Sequence, residues 1–433
     1  MKSKEENRFR TYRWFIYSML VLANMISFFH RMSGGAVRED LISVFNMSSV
    51  TFANLSSTYF YIYMIMQIPS GILADTIGPR KVISVGTLLA GFGTIMFGLS
   101  NSIFQIFLGR LFIGLGVSVV YISVLKVLSH WYRESEFGGI IGLTAAIGNF
   151  GGILAQTPLV LLMAAITWRS SFVAIGIFTI LASFLFYLII RNRPSDVGLP
   201  SIEVTGGKEI NNENNKIKLG ESIKSVITNK DTWPLFLIFA GFYGAFSSLT
   251  GTWGASYIME VYEIPKMVST NYIMVAVFGH VIGAVVIGLI SDKMRKRRTP
   301  MRIFGFIYLL TWLALVFWNG GKPPIEYLNI ILFTLGFSSA SFLLNLSVAK
   351  EINSRRIVGI ATSIVNTGGF FGAAIFPPIL GIVIDRYKDS MFPIMVYQKA
   401  FMYCFFAVVI ANIILIFVKE TNCSNVYVDK GNS

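Results

Sequence analysis

Apolar residues fall in twelve long runs separated by short polar segments. Each run is about as long as the roughly 18 apolar residues that a helix needs to cross the hydrocarbon core of a membrane. The pattern therefore predicts an all-α membrane protein with twelve transmembrane helices. The predicted spans are 12–34, 50–74, 82–101, 103–128, 138–164, 168–191, 232–259, 270–290, 302–319, 326–349, 357–384 and 398–418.

A polar, Asn-rich stretch at 192–231 divides the spans into two sets of six. We therefore expect an N-terminal six-helix bundle over 1–191, a cytoplasmic linker over 192–231 and a C-terminal bundle over 232–433. The end of the linker places apolar side chains on one helical face, which predicts a short amphipathic helix on the membrane surface. Those side chains are Leu219, Ile223, Val226 and Ile227.

Composition agrees with a membrane protein. Of the 433 residues, 54% are hydrophobic and only 13% are charged, against about 25% charged in a soluble domain. A soluble enzyme and a disordered chain are thereby excluded. The two cysteines, Cys404 and Cys423, form neither a disulfide framework nor a metal site.

The net charge of +14 would suggest nucleic acid as a partner of a soluble protein. Here most Lys and Arg residues fall in loops on the side of the two termini, so the positive-inside rule explains the charge. We expect a multi-pass protein of the cell membrane with both termini cytoplasmic, lipid as its surroundings and no nucleic-acid partner. The first apolar run has the length of a full span and lacks a cleavage site, which predicts an uncleaved first helix.

The chain contains an internal duplication. Gly288 follows Gly71 by 217 positions, and the same offset relates Glu351 to Glu134. One offset that serves two distant motifs predicts two pseudo-symmetric bundles in parallel orientation, with the substrate site between them near the midplane. The other matching pairs are Asp75/Asp292, Arg80/Arg297, Lys81/Arg298, Gly142/Gly359, Asn149/Asn366, Gly151/Gly368 and Gly152/Gly369.

The first repeated motif is the loop GILADTIGPRK (71–81), with GLISDKMRKRR (288–298) as its counterpart. A small residue lets helices approach closely, and an Asp at a helix end accepts hydrogen bonds from free amides. The basic residues can pair with Glu134 or Glu351. We interpret these residues as a cytoplasmic gate; a simple stop signal of positive charge is the alternative. The gate residues are Gly71, Asp75, Arg80, Lys81, Glu134, Asp292 and Arg297.

The loop GILADTIGPRK resembles the signature loop of the major facilitator superfamily, and GRLFIGLG (109–116) is similar to its helix 4 motif. Three further segments, FFHRMSGGAV, LKVLSHWYRESE and RNRPSDVGLP, resemble the sugar-phosphate permease and organic-anion symporter branches. The second loop carries Arg295 where the pattern has its second Gly, which predicts a weaker second latch.

The resemblance implies that an Arg on helix 1, here Arg31, contacts an anionic substrate. A buried cation costs about 3 kcal/mol in a membrane and usually faces the bundle interior. Asn24, Ser27 and Arg31 share one helical face; snorkelling of Arg31 to the surface is the alternative. The predicted substrate-binding residues are Arg31 as anion anchor, Lys126 as second charge, and Tyr59, Tyr63, Gln67, Asn149, Asn345 and Asn366 as orienting groups.

No Asp or Glu falls in the middle of a predicted span. The coupling candidates are therefore His30 and His280, with the proton as a candidate co-substrate and packing as the alternative for His280. Arg110, which belongs to the helix 4 motif, is a structural or coupling residue; anion exchange and uniport need no such residue. His30 stands where anion symporters carry an acidic residue, and Val117 where some carry Glu. No phosphate loop, paired His or activated nucleophile is present, so we expect no enzyme activity, metal or cofactor.

These patterns predict a monomeric secondary transporter that moves a small organic anion, a carboxylate or phosphate ester, by alternating access. Three alternatives stay open. The first is an importer of amino acids or peptides, in which Arg31 binds the carboxylate. The second is an efflux carrier, although GNFGG (148–152) lacks the Pro typical of such pumps. The third is a substrate sensor that does not transport.

Overall fold

The computed structural model describes residues 2–199, 219–354 and 357–427, and this part of the chain consists of helices and their connections. Eleven helices are long and apolar enough to cross a membrane. Helices 1 to 6 are Lys2–Met32, Ser49–Ile65 continued by Gln67–Thr76, Pro79–Gly98, Ile103–Ser118 continued by Val120–Trp131, Glu134–Leu154 continued by Thr157–Ile166, and Trp168–Ile189. Helices 7 to 12 are Thr232–Tyr262 with an internal π turn, Lys266–Met294, Arg298–Phe317, Ile325–Glu351 with an internal 3₁₀ turn, Val358–Tyr387 and Pro393–Ile414.

Helix 2 supplies the twelfth span in two pieces. It is interrupted at Met66, so neither Ser49–Ile65 nor Gln67–Thr76 reaches the length of a span alone. Pro69 explains the break, because it lacks the N–H that would bond to the carbonyl of Ile65 one turn earlier. The prediction of a twelve-helix, all-α membrane protein is confirmed.

The chain forms two compact units. Unit 1 comprises Met1–Ser33 and Ile65–Lys216, and unit 2 comprises Gly34–Met64 and Ile217–Ser433. The chain passes between them after helix 1 and again beside the break in helix 2. The domain limits expected from the sequence alone stay a prediction.

Helices 3 and 4 of unit 1 pack at glycines. A Cβ on Gly116 would lie 2.3 Å from the carbonyl oxygen of Gly86, and one on Gly109 would lie 2.9 Å from that of Gly93. Side chains of any size would force the two backbones apart, which is the usual role of small residues in membrane helix pairs. The GRLFIGLG motif therefore serves helix packing.

Unit 2 uses the same device between helices 8 and 10. A Cβ on Gly283 would lie 2.1 Å from the carbonyl oxygen of Phe337, and one on Gly336 would lie 1.8 Å from that of Ala276. The close approach brings His280, in the same stretch of helix 8, next to helix 10.

The predicted amphipathic helix is present as Leu219–Thr228. Val226 is fully buried against Ile357 and Ala361 of unit 2. Ile227, predicted for the same apolar face, is 44% exposed. The helix thus attaches to helix 11 through one buried side chain, and its contact with the membrane surface stays a prediction.

Candidate functional site

Arg31 lies in the last turn of helix 1. Its guanidinium carbon is 4.5 Å from the centre of the Phe28 ring, and it interacts electrostatically with the Tyr121 hydroxyl of helix 4. Arg31 is partly exposed. A cation is favoured at the C-terminal end of a helix by the helix dipole, so the fold tolerates this charge while part of it remains accessible.

His30 and Arg110, two of the coupling candidates, contact each other. Arg110 Nη1 donates to the carbonyl oxygen of His30 at 2.9 Å. Both residues are buried, with exposures of 4% for Arg110 and 0% for His30. The His30 ring nitrogens have no hydrogen-bond partner among the described residues. Arg110 therefore satisfies a carbonyl at the end of helix 1, where helix carbonyls lack intrahelical partners.

Two further unit 1 candidates have different surroundings. Asn149 is partly exposed on helix 5, and its Nδ2 donates to the carbonyl oxygen of Ala145 at 2.8 Å. Gln67 is buried at 7% exposure directly after the break in helix 2. The predicted neighbour Asn24 donates to the carbonyl oxygen of Thr144 at 3.1 Å, which joins helices 1 and 5.

In unit 2, Tyr59 and Tyr63 belong to an aromatic cluster. Their rings stack with centroids 5.7 Å apart. Tyr63 stacks on Phe370 of helix 11 at 4.3 Å, and Phe370 meets Tyr243 of helix 7 edge-on at 6.2 Å. Both tyrosines of helix 2 are buried, at 0% and 3% exposure. Packing explains the position of these rings, and their role in substrate binding stays a prediction.

Asn345 on helix 10 is fully buried, and neither amide atom has a hydrogen-bond partner among the described residues. Leaving a buried polar group unsatisfied costs about 1–3 kcal/mol, so this amide marks a position suited to a polar ligand or water. Asn366 is partly exposed on helix 11. His280 Nδ1 lies 3.0 Å from Ser339 Oγ, and its ring stacks on Phe246 at 4.6 Å; both contacts are typical of a packed histidine.

The unit 1 gate residues form two separate contacts. Lys126, predicted as a second anion-binding charge, donates to the Asp75 carboxylate. Arg80 turns away to helix 6, where its Nε donates to the carbonyl oxygen of Tyr187 at 2.7 Å and its guanidinium covers the Tyr187 ring. Lys81 is exposed.

Gly71 and Glu134 complete the predicted unit 1 gate. A Cβ on Gly71 would meet no described atom within 4 Å, so the close helix approach expected there is absent in this structure. Glu134 begins helix 5, and its side chain lies outside the described residues. The neighbouring Glu136 pairs instead with Arg13 of helix 1 at 3.0 Å.

The predicted gate residues of unit 2 form a network centred on Arg297, which is buried on the side of Glu351. Its Nη2 lies 3.0 Å from Glu351 Oε1 and its Nη1 lies 2.7 Å from Asp292 Oδ1. The side chains of Arg297 and Glu351 are only 12% and 10% exposed, whereas Asp292 and its unit 1 counterpart Asp75 are 65% and 66% exposed. Arg297 pairs with two carboxylates, and partly buried pairs are screened less by salt than exposed ones, so the second latch is the more extensive one, contrary to the expectation from Arg295.

Unit 2 also contains a charge cluster at the helix ends opposite the helix 8–9 loop. Arg38 Nη1 lies 3.1 Å from Glu260 Oε1, and Lys266 Nζ lies 2.6 Å from Asp40 Oδ2. These pairs join the segment after helix 1 to helices 7 and 8.

A carboxylate of helix 11 caps the N-terminus of helix 2. The Asp385 carboxylate accepts from the backbone N–H groups of Ser49 and Val50 at 2.9 and 2.8 Å. Sequence reasoning missed this capping residue and the charge cluster, because their only signal was a set of charges near the ends of separate helices.

Among the described residues, no group of three or more His, Cys, Asp and Glu side chains could hold a metal ion. Membrane-length helices in two compact units, with polar side chains buried inside them and ion-paired loops at their ends, define a helical membrane transporter.

Comparisons with known proteins agree. A family model described as Major Facilitator Superfamily matches residues 19–377. The chain belongs to the Major Facilitator Superfamily, and the resemblance expected from its motifs is confirmed. It is 25% identical over 391 residues to a probable hexose phosphate transport protein of Chlamydia trachomatis, covering 85% of this chain and 84% of that one.

Two other similarities cover most of the chain. It is 25% identical over 412 residues to the membrane sensor protein UhpC of Escherichia coli, covering 90% of each. The crystal structure of a bacterial homolog of the human lysosomal transporter Spinster, inward-facing and unoccupied, matches with a TM-score of 0.77 at 17% identity. That match covers 94% of this chain and 97% of the other, and it shows the shared fold.

Proposed function

We propose that this protein carries a small organic anion across the membrane by alternating access, with Arg31 as the anion anchor. The observation that supports the proposal best is the difference in burial and bonding between two arginines of unit 1. Arg110 is buried and bonded to a backbone carbonyl, whereas Arg31 is partly exposed and lies over the Phe28 ring. A guanidinium presents a fork of donors that suits phosphate and carboxylate oxygens.

The remaining predicted residues receive separate roles. We assign Gln67 and Asn149 in unit 1, and Tyr59, Tyr63, Asn345 and Asn366 in unit 2, to hydrogen bonding with the substrate. The buried amide of Asn345, which has no partner among the described residues, supports this assignment. Lys126 is assigned to the gate, because its ammonium group bonds to Asp75 in this structure.

The test is a thermal-shift screen of the purified protein with glucose 6-phosphate, inorganic phosphate, succinate, a dipeptide and a lipophilic cation. A ligand that binds only the folded state stabilises it by about 2.7 kcal/mol at a hundred times its Kd. We expect an anion to raise the Tm of the wild type and of Arg302→Ala, which removes an exposed arginine of helix 9. The same anion should leave the Tm of Arg31→Ala unchanged.

Two outcomes contradict the proposal. An equal response of Arg31→Ala shows that Arg31 is structural. A response to the dipeptide or the cation alone removes the anion assignment.

The alternative of a sensor is favoured by one observation, the similarity to a protein named as a membrane sensor. Counterflow of radiolabelled glucose 6-phosphate in proteoliposomes distinguishes the two functions if that compound binds. Binding with exchange supports the carrier, and binding without exchange supports the sensor.

We further propose that the protein is a monomer with cytoplasmic termini that exchanges one anion for another. Within the described residues, Asp and Glu side chains fall only near the ends of the spans, so the carboxylate on which many proton carriers depend is missing from that part of the chain.

Two experiments test the position of the C-terminus and the exchange mechanism. A protease site placed after residue 433 should be cleaved in inverted vesicles and protected in intact cells. Exchange that proceeds equally with and without a pH gradient supports the exchange mechanism.

A further inference from the structure

The segment that follows helix 12, here called the tail segment (419–427), folds back onto the loop between helices 8 and 9. Glu420 Oε1 accepts from the backbone N–H of Arg297 at 2.7 Å, and its Oε2 accepts from that of Arg298 at 3.1 Å. Helix 9 begins at Arg298, where the first N–H groups of a helix lack intrahelical partners. The Glu420 carboxylate therefore caps helix 9.

The tail segment also contacts the acidic partner of Arg297. Thr421 is fully buried, and its hydroxyl donates to the Glu351 carboxylate. The backbone N–H of Val426 donates to the carbonyl oxygen of Glu351 at 2.8 Å. Glu351 is thus held at both its carboxylate and its backbone by residues that come from the end of the chain.

Unit 1 repeats the capping contact independently. Asn192 follows helix 6 as Glu420 follows helix 12, and its Oδ1 accepts from the backbone N–H of Arg80 at 2.9 Å. Arg80 and Arg297 are equivalent in the internal duplication. The same backbone position is therefore capped in each unit by the segment that follows the sixth helix of the repeat.

We propose that Glu420 and Thr421 are positioning residues of the unit 2 gate. Glu420 holds the backbone that presents Arg297, and Thr421 holds the Glu351 carboxylate in place for the ion pair. Release of the tail segment would then loosen the pair, and breakage of the pair would loosen the tail segment. This inference does not depend on which substrate the protein carries.

The chain contains a natural reporter of tail docking. Cys423 lies within the tail segment, partly buried, with its sulfur 3.7 Å from the carbonyl oxygen of Ser291. Burial raises the pKa of the Cys423 thiol, which lowers its thiolate fraction and its reactivity. The other cysteine, Cys404, is fully buried in helix 12. Release of the tail segment should therefore increase alkylation of Cys423.

The test measures the rate of maleimide labelling of the purified full-length protein at neutral pH in a Cys404→Ser background. Thr421→Val, which removes no charge, should label about two- to thirtyfold faster, the range by which loss of a helix cap shifts a local equilibrium. Glu420→Ala should label faster by at least as much, because it also removes a charge that raises the pKa of Cys423. Thr421→Ser, which keeps the hydroxyl, should label at the rate of the unsubstituted background. Glu221→Ala, which removes an exposed carboxylate from Leu219–Thr228, is the matched control and should also label at that rate.

A second measurement separates positioning from a simple anchoring role. Arg297→Gln breaks the ion pair with Glu351 but keeps the backbone N–H that donates to Glu420. Loss of the Arg297 charge, which lowers the pKa of Cys423, would by itself slow labelling, so faster labelling reports release of the tail segment, and the effect should not add to that of Glu420→Ala. Background-rate labelling of both Glu420→Ala and Thr421→Val overturns the proposal. So does background-rate labelling of Arg297→Gln, or full additivity in the double variant. If Glu420→Ala does not fold, Glu420→Gln, which keeps an acceptor oxygen and removes the charge, replaces it with the same expected direction.

Discussion

Arg295 occupies the position in the second repeat that Gly78 holds in the first, and the two residues adopt different backbone conformations. Arg295 ends helix 8 in the left-handed helical region, with φ 48° and ψ 40°. Gly78 precedes helix 3 with φ 93° and ψ 139°, a region that is essentially restricted to glycine. The second loop thus accepts an arginine because its chain path differs from that of the first.

This difference predicts that Arg295→Gly stabilises the protein. A left-handed conformation costs a residue with a side chain about 1–2 kcal/mol, which glycine avoids. Glycine also has greater chain entropy in the unfolded state, and this opposes the gain by about 0.5–1 kcal/mol. We expect a net gain of up to about 1.5 kcal/mol in the free energy of unfolding, measured in detergent. Gly78→Ala should lower it, and a loss of stability in Arg295→Gly would contradict the strain argument.

The two gates should contribute unequally to stability. Glu351→Gln removes a charge from a buried network and should cost about 1–3 kcal/mol. Asp75→Asn affects a pair in which Asp75 is 66% exposed, and exposed pairs contribute at most about 1 kcal/mol. Denaturant unfolding of the two variants side by side gives the comparison. Equal losses would show that exposure does not set the strength of these latches.

Glycines of the duplication should differ in their tolerance of alanine. A Cβ on Gly151 would lie 2.0 Å from the carbonyl oxygen of Met25, and one on Gly368 would lie 2.4 Å from that of Phe236. Gly142 and its counterpart Gly359 would meet no described atom within 4 Å. Gly151→Ala and Gly368→Ala should lower the Tm because two helix backbones must separate.

Alanine at Gly142 or Gly359 should instead raise stability by up to about 1 kcal/mol, the difference in helix propensity. These two variants are the matched controls for the close-packed positions. A fall in Tm at all four glycines would indicate that the open positions become packed in another conformation.

Asp385→Asn tests the cap on helix 2. The asparagine keeps an acceptor but loses the charge that favours a helix N-terminus. We expect a loss of about 0.5–1 kcal/mol in the free energy of unfolding. Asp389→Asn, at an exposed position just after helix 11, is the control and should have little effect. If Asp389→Asn lost as much stability as Asp385→Asn or more, the change in net charge, and not the loss of the cap, would explain the effect.

The contribution of Glu420 should depend on pH. Burial alone would raise the pKa of the Glu420 carboxyl, but hydrogen bonds from the backbone N–H groups of Arg297 and neighbouring residues outweigh it and hold the pKa below the ordinary value of 4.5. A carboxyl whose pKa is lower in the folded state stabilises that state above its unfolded pKa and loses this contribution as the pH falls through its folded pKa. The Tm difference between wild type and Glu420→Gln should therefore be constant at neutral pH and shrink as the pH falls below 4.5. A difference that persists undiminished in acid would show that the charge of Glu420 is not responsible.

The sequence pattern was sufficient for the helices, the duplication and the family. It also predicted the short helix Leu219–Thr228 in a polar stretch. It was less informative for the break in helix 2, although Pro69 was a visible signal. The substrate-binding residues stay predictions, because residue type and spacing indicate which side chains can bind an anion and not which of them do so.

Hydropathy and duplication are local properties of contiguous residues, so the amino-acid sequence by itself determined the membrane class and the two repeats. Partner choice is not local. Lys126 meets Asp75, Arg38 meets Glu260 across 222 positions, and Glu420 returns to cap helix 9. Charges of similar type occur in many short connections, and only the packing of the helices brings a particular pair within about 3 Å, the range of a hydrogen bond. Tertiary structure therefore decided the partners in both predicted gates and the contacts of the tail segment.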